Sequence, residues 1–103
     1  MPAYIISLVE FTNMTPALKE YAQKSAALAK QHGGRYIVRG KAMEVLEGDK
    51  LAGKSLVILE FPTLEQLHAF VKGDAYQKTV KPLRKDTGIY DIGIFESPPP
   101  PMQ

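Results

Sequence analysis

Two segments of this chain are apolar on both faces of a β-strand, and that doubling restricts its folds more than any other feature. In AYIISLVEF (3–11), Ile5, Val9 and Phe11 alternate with Tyr4, Ile6 and Leu8; in LVILEF (56–61), Val57, Leu59 and Phe61 alternate with Leu56 and Ile58. Strand side chains point alternately to opposite faces, so a sheet built from these strands has no polar face. One layer of helices covers only one of them. Burying a Val, Leu, Ile or Phe side chain is worth roughly 1.5–3 kcal/mol, and soluble monomers avoid large bare apolar patches. A second copy, packed sheet to sheet, is the expected cover, and it can enclose a cavity between the sheets.

The rest of the chain supplies helices for one face. Thr15 and Pro16 open the first, with a hydroxyl at the N-cap and a proline whose missing N–H is not needed there. Leu18, Tyr21, Ser25 and Leu28 share a face, and Gly33-Gly34 ends the helix. RYIVRG (35–40) reads as a second strand; Ala42–Leu46 offers a continuation of it, ahead of a Gly-containing hairpin loop from Glu47 to Gly53. Pro62 ends the strand at 56–61, and Thr63 with Gln66 forms a capping box for a helix whose stripe is Leu64, Leu67 and Val71. Gly73 is the expected C-cap, Asp74 with Gln77 a fresh cap, and Pro82 imposes a break near Lys81. IYDIGIF (89–95) is the fourth strand, and SPPPPMQ a polyproline-II-like tail. The expected organisation is one domain over 1–96 and a proline-rich tail over 97–103.

The order β-α-β-β-α-β carries an internal echo, LVEFT (8–12) and ILEFP (58–62), each before a helix. Two such halves with right-handed crossovers make a ferredoxin-like α+β fold: an antiparallel four-stranded sheet with both helices on one face. Pairing of two sheets gives a dimeric α+β barrel.

Composition excludes several functions. In 103 residues no apolar run nears the roughly 18 of a membrane helix. The N-terminus lacks signal-peptide features, so a cytoplasmic location is expected. With no cysteine there is no disulfide, thiolate metal site or thiol nucleophile. A net charge of +2 is too weak to imply nucleic acid. AYIISL half resembles the first strand of an RNA-recognition motif, but GKSLVILEF offers only Phe61 as a stacking aromatic.

GGRYIVRG (33–40), EG (47–48), LEFPT (59–63), Tyr76 in GDAYQ and Arg84 in KPLR together resemble the family designated domain of unknown function 1330 (DUF1330). The resemblance covers nearly all of the chain before the proline tail. Lys41 and Phe70 depart from it, standing where glycine and tryptophan are common. The resemblance implies a dimeric α+β barrel, a class that includes cofactor-independent monooxygenases, muconolactone isomerases and haem-binding enzymes.

Glu60 shares the parity of Leu56 and Ile58, and Glu10 that of Ile6 and Leu8. A carboxylate on an apolar face must find a partner or raise its pKa, which suits a general base or a ligand anchor. The structural alternative is an ion pair with Arg39. Arg39 and Arg84 are candidates for a ligand carboxylate or carbonyl, and Tyr76 for orienting a ligand oxygen, unless it only packs with Val80 and Leu83. The expected site is thus Glu60 and Arg39 as catalytic pair, with Tyr76, Arg84 and Glu10 binding ligand in a pocket between Glu60 and Tyr76. His32 reads as a helix C-terminal charge, His68 as half-buried, and Lys78, Lys81 and Lys85 as a solvated face. No metal or other cofactor is expected, a haem on His68 being the weakest option. The expected function is a homodimer that binds a small apolar or carbonyl-containing metabolite and, if it transforms it, does so without cofactor, in the manner of an isomerase or monooxygenase. Two alternatives stand beside it: a non-enzymatic structural or regulatory dimer, and a tautomerase using the exposed amine of Pro2 as base.

Overall fold

The computed structural model describes residues 1–97 and orders them β1 (Ala3–Phe11), α1 (Pro16–Gln31), β2 (Arg35–Lys41), β3 (Ser55–Phe61), α2 (Leu64–Val71) and β4 (Gly88–Glu96). The sheet order is β2-β3-β1-β4 with every neighbouring pair antiparallel, the ferredoxin-like arrangement. Residues 98–103, most of the expected tail, lie outside the described residues.

Local chemistry sets the helix ends. Thr15 accepts a hydrogen bond from the Leu18 N–H and Thr63 one from the Gln66 N–H, each satisfying a donor that the first helical turn leaves free. After α1 the chain turns through Gly33 at φ +83°. Gly34 then passes so close to Phe61 that an added Cβ would stand 2.7 Å from its ring. Phe61 is fully buried with Leu67, beside Phe70, Ala3, Ile5, Leu59 and Ala29, and this cluster is the core between sheet and helices. Tyr76 and Val80 close it from the segment after α2.

Three local expectations are corrected. Ala42–Leu46 does not continue β2, because β3 begins only at Ser55, opposite Lys41, and residues 42–54 have no strand to pair with. The α2 cap is Lys72 rather than Gly73. Asp74 makes no capping bond; its carboxylate lies 3.3 Å from Lys78, while the Gln77 amide donates to the Val71 carbonyl at 2.7 Å. The break near Lys81 is present: a π-helical segment, Ala75–Val80, gives way to a 3-10 turn, Lys81–Arg84, with Pro82 in its first turn.

Register settles the two faces. Ile5, Val9, Val57, Leu59, Tyr90 and Ile92 share the helix-covered side, Ile5 opposite Leu59 and Val9 opposite Tyr90. Tyr4, Ile6, Leu8, Leu56, Ile58 and Glu60 lie on the other side, with Val38, Ile89 and Phe95, and no element of the described chain covers them.

Candidate functional site

Between α1 and the helix-covered face of the sheet lies a cavity of about 700 Å³. Its walls are apolar: Ile5, Val9, Val57 and Leu59 from the sheet, Leu18 from α1 and Phe70 from α2. Met14, Lys19, Arg39, Gln77 and Lys81 line it and are exposed, marking where it meets solvent.

Polar groups gather toward the β4 side. Tyr21, on the inward stripe of α1, places its hydroxyl 2.8 Å from that of Tyr76, on the π-helical segment. Burial foremost, and then the adjoining Tyr76 phenol, hold Tyr21 well above the ordinary phenol value of 10.0, although Arg84 and a hydrogen bond with Ser25 pull the other way. Tyr21 is therefore a neutral hydrogen-bonding group at physiological pH. Beside it the Arg84 guanidinium lies 4.4 Å from the Tyr90 ring centroid and 6.0 Å from that of Tyr21. Thr87, fully buried, holds this corner: its hydroxyl donates to the Arg84 carbonyl at 2.5 Å and lies 2.6 Å from the Tyr90 hydroxyl. With its proton committed to that carbonyl, Thr87 accepts from Tyr90, which fixes the ring under the guanidinium.

Arg39, Tyr76 and Arg84 thus line one cavity. Glu60 and Glu10 do not. Tyr4 opposite Glu60 and Ile89 opposite Glu10 put both carboxylates on the helix-free face. The expected pocket between Glu60 and Tyr76 is corrected accordingly: the sheet separates them. So is the expected partner of Glu60. Its Oε1 lies 2.8 Å from Nε of Arg35, not of Arg39. Arg35 is the residue directly opposite Glu60 in the β2–β3 register, and a bulge between Tyr36 and Val38 turns Arg39 to the side of Val57, where its guanidinium sits 4.7 Å from the Tyr36 ring centroid.

His68 does not line the cavity, and His32 meets Phe70 edge-on at 6.2 Å. Pro2 is also absent from its lining; the Pro2 carbonyl accepts from the Ser97 N–H at 3.1 Å at the sheet's other end. Phe61, the one stacking aromatic available for RNA on β3, is buried in the core. Among the described residues no helix is long and apolar enough to cross a membrane. Tyr21, Ser25 and Tyr90 were not singled out from the sequence as site residues. The signal was present for two of them: hydroxyls at Tyr21 and Ser25 interrupt an inward-facing apolar stripe.

Fold and cavity define a small α+β domain of ferredoxin-like topology with a chamber between its sheet and first helix. The chain belongs to the family described as Domain of unknown function (DUF1330), which matches residues 2–98. No curated protein matches it. Among solved structures it is similar to RPA0582, a protein of unknown function from Rhodopseudomonas palustris. The TM-score is 0.70 at 16% identity, covering 96% of this chain and 84% of that one. Methylated RPA0582 gives a TM-score of 0.72 at 18% identity, with 96% and 82% covered. At such identities the likeness concerns the fold alone.

Proposed function

We propose that this protein is a cofactor-independent, cytoplasmic homodimer that binds a small, largely apolar molecule bearing an oxygen function in the cavity between α1 and the sheet. The observation that carries this reading is the cavity's composition: about 700 Å³, apolar walls, and Tyr21, Tyr76 and Arg84 gathered at one end. Cavities of this size with a few convergent polar groups are the usual form of a small-molecule site. The apolar body would lie against Val57, Leu59 and Phe70, with its oxygen toward Arg84 and the tyrosine pair. If the bound molecule is transformed, the same groups are placed to stabilise negative charge developing on that oxygen. Glu60, across the sheet, has no part in this.

Dimerisation is supported by the helix-free face. Ile6, Leu8, Leu56 and Ile58 form its centre, with Ile89 58% and Phe95 53% exposed beside them. A second copy packed there would remove this surface from water.

Binding is tested with the neutral, environment-sensitive dye N-phenyl-1-naphthylamine. Its fluorescence is expected to rise on addition of the protein. Ala22→Phe, which places a ring in the cavity, is expected to weaken binding at least about tenfold, a loss of about 1.4 kcal/mol. Glu60→Gln is expected to leave affinity unchanged and to lower stability by at most about 1 kcal/mol, since its partner Arg35 is largely exposed. Unchanged binding by Ala22→Phe would remove the cavity from consideration.

A further inference from the structure

The charge around the cavity is one-sided. Lys19, Arg39, Lys81 and Arg84 line it, and among the described residues no Asp, Glu or His does. The whole chain has 13 basic and 11 acidic residues, so this is segregation, not a reflection of composition. Three of these cations are exposed at the mouth, where water screens them. Arg84 is half-buried, and its Nε is fully buried with no hydrogen-bond partner among the described residues. Nor does its guanidinium form an ion pair there; Asp86, two residues on, shares a second, smaller groove with Arg84 but pairs with no cation among the described residues and does not line the cavity.

The geometry of Arg84 narrows the ligand further. Tyr90 lies within cation–π distance of the guanidinium, with its hydroxyl anchored on Thr87. The guanidinium is a planar fork of N–H donors whose parallel pairs match the two oxygens of a carboxylate. A phosphate group, with more charge and more acceptors, would call for several cations or backbone N–H groups converging inside, whereas Arg84 is the one half-buried cation of the four and the inner walls are Val57, Leu59 and Phe70. The Tyr21 ring lies 6.0 Å from Arg84, and of the hydrogen-bonded hydroxyls of Tyr21 and Tyr76 one keeps a proton to donate.

Building on the small-molecule reading above, we infer that the ligand is an apolar monocarboxylate, its carboxylate paired with the Arg84 guanidinium and its hydrocarbon body filling the space between α1 and the sheet. The charge is what selects it. A neutral molecule of the same shape would satisfy the walls but leave the guanidinium without a counter-ion.

The test compares 2-naphthoate with 2-naphthamide, near-isosteres that differ in charge, as competitors for bound N-phenyl-1-naphthylamine. Naphthoate is expected to displace the dye at least about tenfold more effectively, with the preference falling as salt is raised. Arg84→Gln is expected to abolish the preference while still binding the dye, and Arg84→Lys, which keeps the charge but not the fork, to retain part of it. Equal displacement by the two compounds overturns the inference using the unaltered protein alone, and leaves the cavity reading intact. A preference that survives in Arg84→Gln overturns it too. Absence of dye binding in the unaltered protein would remove the small-molecule reading itself, and this inference with it.

Discussion

Tyr21 illustrates how a single side chain can be both packing and chemistry. It continues the apolar stripe of α1, yet its hydroxyl meets that of Tyr76 inside the cavity. Because burial and Tyr76 hold its proton more tightly in the fold than in the open chain, the folded state retains a proton that the unfolded state loses above pH 10. The stabilisation is complete below that pH and is lost as pH rises toward the higher folded value. Stability is therefore expected to fall on the alkaline side with a contribution from Tyr21 of up to about 1.4 kcal/mol per pH unit. Tyr21→Phe should flatten that slope in urea unfolding measured between pH 9 and 11, and an unaltered slope would place the alkaline loss elsewhere. Arg84 is the other residue that changes meaning with its surroundings: a cation in a basic stretch by sequence, it stands against Tyr90 on the border of an apolar chamber.

At the scale of elements, close approach matters more than propensity. The α1–β2 connection works because Gly34 lets the chain pass over Phe61 with an added Cβ only 2.7 Å from the ring and 3.1 Å from the Ala29 carbonyl. Gly34→Ala must move a fully buried ring or the end of α1, so a loss of about 1–3 kcal/mol is expected in chemical unfolding. A loss below about 0.5 kcal/mol would mean that the core yields more readily than its packing suggests. The segment after α2 shows the opposite balance. There the sequence pattern of a second cap at Asp74 loses to Pro82 and the inward pull of Tyr76 and Val80, and the helix widens to a π form before it breaks. That distortion is what brings Tyr76 and Arg84 to the same end of the cavity.

The described residues form a more extended body than a closed globule. Its radius of gyration of 14.6 Å exceeds the roughly 13 Å usual for about 100 residues. The loop after β2 carries Met43 and Leu46, 104% and 84% exposed, and the helix-free face adds the apolar side chains of β1 and β3. Both features suit a chain that completes itself against a copy. Sedimentation at micromolar concentration is expected to give twice the 11.4 kDa chain mass. Ile58→Lys, at the centre of the helix-free face and away from the cavity, should shift it to monomer with the circular dichroism of the fold retained. A monomer in the unaltered protein would leave that face without its proposed cover.

Element order, both helix N-caps and the two-faced strands were legible in the residues themselves, because capping hydroxyls and period-two alternation act over a few positions. Alternation also placed Glu60 and Glu10 correctly beside Leu56 and Leu8. It could not say which face the helices would choose, and that choice put the cavity on the side away from both carboxylates. Nor could it foresee the bulge at residues 36–38. One extra residue in a ladder reverses every side chain beyond it, so Arg39 turned to the cavity, while Arg35, ahead of the bulge and directly opposite Glu60, took the ion pair. The site of Tyr21, Tyr76, Tyr90 and Arg84 draws on three separate parts of the chain, and such a meeting exists only once the sheet and helices have packed.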